Sequence, residues 1–116
     1  MAEVHVDNGV LETLRDVMED EYSLLLETFL ADSEERLRLL VAAAQSADAQ
    51  AMRLAAHSFK GSCSNMGALL LASLCKELEE LARRELLDQV APVLEQVQRE
   101  FAIVRILFKA ELQRYR

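Results

Sequence analysis

Tryptophan is absent from this sequence, proline occurs once (Pro92), and there are only three glycines among 116 residues. So few backbone-breaking residues, set against an excess of Ala, Leu, Glu, Gln and Arg, leave little material for turns and much for helix. No stretch alternates apolar and polar residues long enough to argue for a strand. Cysteine is scarce as well. Cys63 and Cys75 lie inside helical apolar patterns, at no disulfide-framework spacing, and no Cys-x-x-Cys pair offers a zinc site. They are expected to be small buried side chains in a reducing compartment. Positive charge is in deficit: 13 Lys and Arg against 20 Asp and Glu leave a net charge of −7. That balance argues against the phosphate backbone of nucleic acid and against a polybasic membrane anchor. No apolar run approaches the roughly 18 residues of a membrane helix. Residues 1–8 are short, polar and acidic, with neither the basic nor the apolar region of a signal peptide. The expected location is cytoplasmic.

What is present is ample apolar material, 52% of the residues, in a chain of single-domain size with no repeat and no linker. One domain over residues 1–116 is expected, with residues 1–7 a flexible N-terminus. Asp7 or Asn8 is a plausible cap for a short first helix carrying Val10, Leu11, Leu14, Val17 and Met18. Glu19, Asp20 and Glu21 then place negative charge where a second helix prefers it. That helix carries Leu25, Leu26, Phe29, Leu30, Leu37, Leu40 and Val41 at three- and four-residue intervals and fades across residues 44–47. Asp48 caps a third, through Met52, Ala55, Ala56, Phe59, Cys63 and Met66. Gly67 marks a break. A fourth stripe, Leu70, Leu71, Leu74, Leu78 and Leu81, ends near Arg83 and Arg84. Asp88 and Pro92 punctuate the start of a fifth, with Val93, Leu94, Val97, Phe101, Val104, Leu107, Phe108 and Leu112. Long amphipathic helices with short connections pack as antiparallel neighbours. The expected fold is all-α: an up-and-down four-helix bundle with a short additional N-terminal helix.

Such a bundle could house a metal, but the two histidines, His5 and His57, lie in no Glu-x-x-His motif of the di-iron kind. Gly-rich phosphate loops and a nucleophile elbow are also missing. His5 precedes the first cap, has no partner pattern around it and is expected to have no role. The segment 57–68 is unlike ordinary bundle sequence. The apolar stripe of the third helix turns His57, Lys60, Gly61 and Ser64 to the opposite face, at i, i+3, i+4 and i+7. A glycine in an exposed helical turn costs about 1 kcal/mol relative to alanine. One turn after His57, Gly61 removes the side chain that would crowd the imidazole, while Lys60 brings an ammonium beside it. An unhindered imidazole with a cation nearby is what a phosphoryl acceptor needs.

The run His-Ser-Phe-Lys-Gly-Ser-Cys-Ser-Asn-Met-Gly-Ala over residues 57–68 resembles the signature of histidine-containing phosphotransfer (HPt) domains, of the free-standing bacterial type. Leu74-Cys75-x-x-Leu78-Glu79 matches how those domains continue. The resemblance spans about the whole chain. It implies a monomeric bundle whose exposed histidine relays phosphoryl groups between aspartates of receiver domains, from hybrid sensor kinase to response regulator. By matching position, His57 would be the phosphoacceptor, Lys60 the phosphate-stabilising lysine, Gly61 the small residue giving access, and Gly67 the turn between the two helices of the active face. Glu79 is the candidate for the polar residue of the fourth helix that orients the imidazole. Cys63 stands at a small-residue position and needs no role. The resemblance implies no ATP-dependent kinase activity and no cofactor in this chain, with Mg²⁺ held by the receiver. Transient docking is expected on an apolar patch around His57, with Arg53, Ser58, Ser64 and exposed residues of the second helix as candidates. Two other readings remain open: a bundle that docks receivers without being phosphorylated, and, less favoured, an enzyme or metal-binding bundle.

Overall fold

A computed structural model describes residues 5–115. Five α-helices follow in order: α1 (Asn8–Met18), α2 (Tyr22–Gln45), α3 (Ala49–Asn65), α4 (Leu69–Arg83) and α5 (Val90–Arg114). Short 3₁₀ turns, Glu19–Glu21 and Leu87–Gln89, precede α2 and α5, and the described residues include no strand. The last four helices form an antiparallel up-and-down bundle, packed in the closed order α2, α3, α4, α5 and back to α2, with the tightest association between α3 and α4. The short α1 lies against the start of α2.

The helix starts follow from capping chemistry. The Asp7 carboxylate accepts from the Gly9 N–H at 2.9 Å, and the Asp48 carboxylate accepts from Ala51 N–H at 3.0 Å. Each satisfies a donor that the first turn leaves without an intrahelical partner. Pro92 sits in the first turn of α5, where its missing N–H costs nothing.

The helix ends share one device. At each of the three bundle connections a residue adopts the left-handed conformation: Ala47 (φ 54°), Gly67 (φ 78°) and Glu85 (φ 57°). The following N–H then reaches back to a carbonyl inside the helix: Asp48 to Ala43 at 2.9 Å, Ala68 to Cys63 at 2.9 Å, and Leu86 to Leu81 at 2.9 Å. This hydrogen-bond pattern closes a helix and reverses the chain within a few residues. Only the middle position is glycine. A Cβ there would lie 3.0 Å from Val10 Cβ and 3.1 Å from the Asp7 carbonyl oxygen, so both backbone and space require Gly67. The Gly67 carbonyl also accepts from the Asp7 N–H at 2.8 Å, tying the start of α1 to the α3–α4 turn.

The core contains Leu26, Phe29, Leu40, Met52, Phe59, Leu71, Leu78, Val97, Val104 and Phe108, all effectively inaccessible. Phe29 packs on Phe108 (centroids 4.9 Å apart) and Phe59 meets Phe101 edge-on at 6.2 Å. Two expectations need correction. Val17 and Leu107, counted with the apolar stripes, are 71% and 42% exposed. Each sits on the flank of a stripe whose centre (Leu11, or Val104 and Phe108) is buried, and no neighbouring helix covers that flank. Within the stretch 1–7, expected to be flexible, the Asp7 N–H donates to the Gly67 carbonyl and His5 lies against α5. Residues 1–4 lie outside the described residues. Finally, His5 does have a partner. Its Nδ1 lies 2.7 Å from Oε2 of Glu100, a carboxylate otherwise buried in the bundle. A buried charge needs such a partner, and periodicity alone does not reveal one 95 residues away.

Candidate functional site

Helix phase creates the site. With Met52, Ala55, Ala56, Phe59 and Cys63 buried along one side of α3, His57, Gly61 and Ser64 are left on the solvent side. The tight turn at Gly67 then sets the antiparallel register of α3 and α4. The same register that brings Cys63 beside Cys75 carries the chain, further along each helix, to His57 and Lys60 opposite Glu79. Glu79 follows the buried Leu78, so it emerges on the flank of α4 that faces α3.

The three side chains form one connected unit. His57 Nδ1 lies 2.7 Å from Glu79 Oε2, and Lys60 Nζ donates to Glu79 Oε1 at 2.6 Å. A carboxylate only accepts, so Nδ1 of His57 is the donor in this contact. Exposure is graded: the His57 side chain is 66% accessible, Lys60 29% and Glu79 20%. Burial by itself would raise the Glu79 carboxyl. The hydrogen bonds from Lys60 and His57, reinforced by their charges, outweigh it and hold the group below its ordinary value. Glu79 is therefore a carboxylate throughout the neutral range.

Gly61 adjoins this unit one turn after His57. A Cβ built there meets nothing within 4 Å, so no packing inside the molecule asks for glycine at this exposed mid-helix position. On the other side of His57, Arg36 of α2 donates from Nε to Ser58 Oγ at 2.8 Å. Between α2 and α3 runs an open groove of about 420 Å³, lined by Leu39, Leu54, Ala55, Ser58 and the charged Asp32, Glu35 and Arg36. Among the expected docking candidates, Ser58 lines this groove, Ser64 is exposed and Arg53 is half-buried. Arg36 was not singled out from the sequence; an arginine on a charged helix face carries no sign of which serine it will meet.

Among the described residues no group of three or more His, Cys, Asp or Glu side chains is placed to hold a metal ion, and no helix is long and apolar enough to cross a membrane. Chemically, the arrangement presents a largely solvent-exposed imidazole anchored through Nδ1, with an ammonium held on the other oxygen of the same carboxylate.

Comparison with known proteins is consistent with this geometry. Residues 24–115 match the family described as the Hpt domain. Among solved structures the chain is similar to the crystal structure of histidine-containing phosphotransfer protein B (HptB) from Pseudomonas aeruginosa PAO1. The two share 66% identity, the match covers 99% of this chain and 100% of that one, and the TM-score is 0.94. Among curated proteins none matches. A match that runs from α2 to the end of α5, with the same bundle throughout, is decisive: the chain belongs to the Hpt domain family of histidine phosphotransfer proteins, which act in phosphorelays.

Proposed function

We propose that His57 is the phosphoacceptor of this phosphotransfer protein, with Lys60, Gly61 and Glu79 as its supporting residues. The Nε2 lone pair of His57 attacks the phosphorus of a receiver's aspartyl phosphate. The N–P bond forms, the P–O bond to the aspartate breaks, and its electron pair remains on the aspartate carboxylate. Lys60 supplies positive charge to the phosphoryl oxygens, which carry the negative charge gained in the transfer. Gly61 leaves the approach to Nε2 unobstructed. Glu79 holds the tautomer that keeps Nε2 unprotonated. The observation that carries this reading is the 2.7 Å Nδ1–Oε2 contact on an imidazole that is otherwise solvent-exposed.

In this reading the chain brings a nucleophile and a docking surface, and no ATP site. Mg²⁺ in this reading belongs to the acidic pocket of the partner receiver. The partners are receiver domains of hybrid sensor kinases and response regulators, met transiently by a cytoplasmic monomer. Docking uses the apolar groove beside His57, rimmed by Arg36 and Ser58. Binding without phosphorylation is the less favoured reading, since the histidine, lysine and glycine are all in place.

The test is transfer from a panel of phosphorylated receivers to wild type and to His57→Gln, read on a phosphate-affinity gel with an acid-lability check. Acid-labile label on wild type alone is the expected outcome, with helicity and thermal midpoint unchanged in the variant. Label retained by His57→Gln would overturn the assignment. Receiver binding without any label would favour docking alone.

A further inference from the structure

Glu79 does more in this geometry than an orienting residue requires. An uncharged acceptor could take the Nδ1–H bond. Glu79 instead uses both carboxylate oxygens on two different donors, Oε2 toward His57 and Oε1 toward Lys60. Glutamine at this position has one oxygen to share, and its amide NH₂ would face an ammonium or an N–H, donor against donor. The site before transfer is therefore electrically closed: a carboxylate, an ammonium and a neutral ring. Transfer adds a dianionic phosphoryl group at Nε2 and makes the ring an imidazolium carrying its proton on Nδ1. The charge balances, since the receiver's aspartyl phosphate (−2) and neutral His57 give an aspartate (−1) and a phosphohistidine of net −1.

Lys60 now has two anions to serve, the new phosphoryl and Oε1. Its pull toward the phosphoryl leaves the ring proton on Nδ1 as the principal counter-charge of Glu79. We infer that Glu79 is a charge-balancing positioning residue that keeps the phosphorylated ring protonated on Nδ1 and thereby keeps the carrier ready to discharge. The inference rests on His57 being the phosphoacceptor. When a receiver aspartate attacks the phosphorus, the P–O bond forms and the P–Nε2 bond breaks, its pair returning to Nε2. With the Nδ1 proton retained, the departing group is neutral imidazole. Without it, the departing group is an imidazolate anion, a much poorer leaving group. The partly buried carboxylate, ionised across the neutral range, therefore favours the labile form of the phosphohistidine.

The other charged groups around the ring do not compete for this role. On α3, Lys60 adjoins it and Arg53 lies one turn before it; on α4, Lys76 lies one turn before Glu79, and Arg83, one turn after it, feels the Glu79 charge while binding Glu80; on α2, Arg36 is engaged with Ser58 and Asp32. All five are cations whose charge is constant across neutral pH. Among the described residues Glu79 alone supplies a negative charge hydrogen-bonded to the ring.

The experiment charges wild type, Glu79→Gln and Lys60→Met from a phosphorylated receiver, removes the receiver, and follows first-order loss of acid-labile phosphate from pH 5.5 to 9. Loss is fast where the phosphorylated ring is protonated and slow above the midpoint of that titration. Removing a neighbouring negative charge lowers the midpoint, so Glu79→Gln moves it down by about one pH unit, giving roughly tenfold slower loss near pH 8 and an unchanged rate near pH 5.5. Removing a neighbouring cation acts oppositely, so Lys60→Met moves the midpoint up. General damage to the fold would not move the two variants in opposite directions. A Glu79→Gln midpoint equal to wild type overturns this inference alone. Absence of label on wild type overturns both it and the phosphoacceptor reading.

Discussion

Gly61 poses the residue-scale question most sharply, because the bundle has no use for it. An exposed glycine within a helix is destabilising by about 1 kcal/mol against alanine. A Cβ at Gly61 would meet open space, so its reason lies outside the molecule. Gly61→Ala is expected to raise stability by about 0.5–1 kcal/mol, measured by urea unfolding, while leaving transfer largely intact. Gly61→Gln puts a long side chain beside Nε2 and is expected to slow transfer at least tenfold with no loss of stability. Retained transfer in that variant would show that the receiver approaches from another side. The glycine was legible in the sequence for the same reason that it is informative in the structure. It breaks a local rule where no turn requires it, beside the one outward-facing histidine.

At the scale of elements, three connections solve the same problem with three different residues. Ala47, Gly67 and Glu85 all take positive φ, a conformation costing an L-residue roughly 1–2 kcal/mol. Ala47→Gly is expected to stabilise the protein by about 0.5–1 kcal/mol, because that position is exposed and the hydrogen bonds around it are backbone ones. Gly67→Ala is expected to destabilise by more than 1 kcal/mol, since the new methyl adds contacts of 3.0–3.1 Å with Val10 and Asp7 to the backbone strain. Thermal midpoints of the two variants, moving in opposite directions, check both. The sequence marked the middle break by its glycine. It marked the other two only by composition, because alanine and glutamate have no outward sign of positive φ. The device that sets the α3–α4 register, and with it the position of Glu79, is thus the one connection the sequence marked with a glycine.

At the scale of the whole molecule, the two cysteines report on how α3 and α4 hold together. Both are buried and free, and hydrogen bonding with Cys75, followed by burial, pushes the Cys63 thiol well above its ordinary value. Reaction needs both access and thiolate; the native bundle withholds access from both cysteines and thiolate from Cys63. Neither thiol is expected to react with a thiol reagent in the native protein at pH 8, and both should label at the rate of global unfolding. Labelling faster than unfolding would mean that the α3–α4 pair opens locally, and with it the site. The first and last described residues are tied in at the same scale. His5 hydrogen-bonds Glu100 on α5, the Arg15 guanidinium reaches the Tyr115 hydroxyl, Ser23 donates to the Tyr115 carbonyl, and Tyr22 donates to Glu111 at 2.6 Å. These contacts join residues about 90 to 100 positions apart, and none left a trace in local pattern.

The sequence alone determined the helical class, the bundle, and the outward face of α3, because each follows from interactions within four residues: propensity, capping and the 3.6-residue period. His57, Lys60 and Gly61 share a face for that reason, and Glu79 entered only through family resemblance. Tertiary structure decided which groups meet across helices. It set Glu79 between His57 and Lys60, placed Arg36 on Ser58, paired His5 with a buried glutamate, and left Val17 and Leu107 uncovered. Periodicity gives the direction in which a side chain leaves its own helix. The register and neighbour that meet it there depend on how the turns close and how the core packs, which no local pattern encodes.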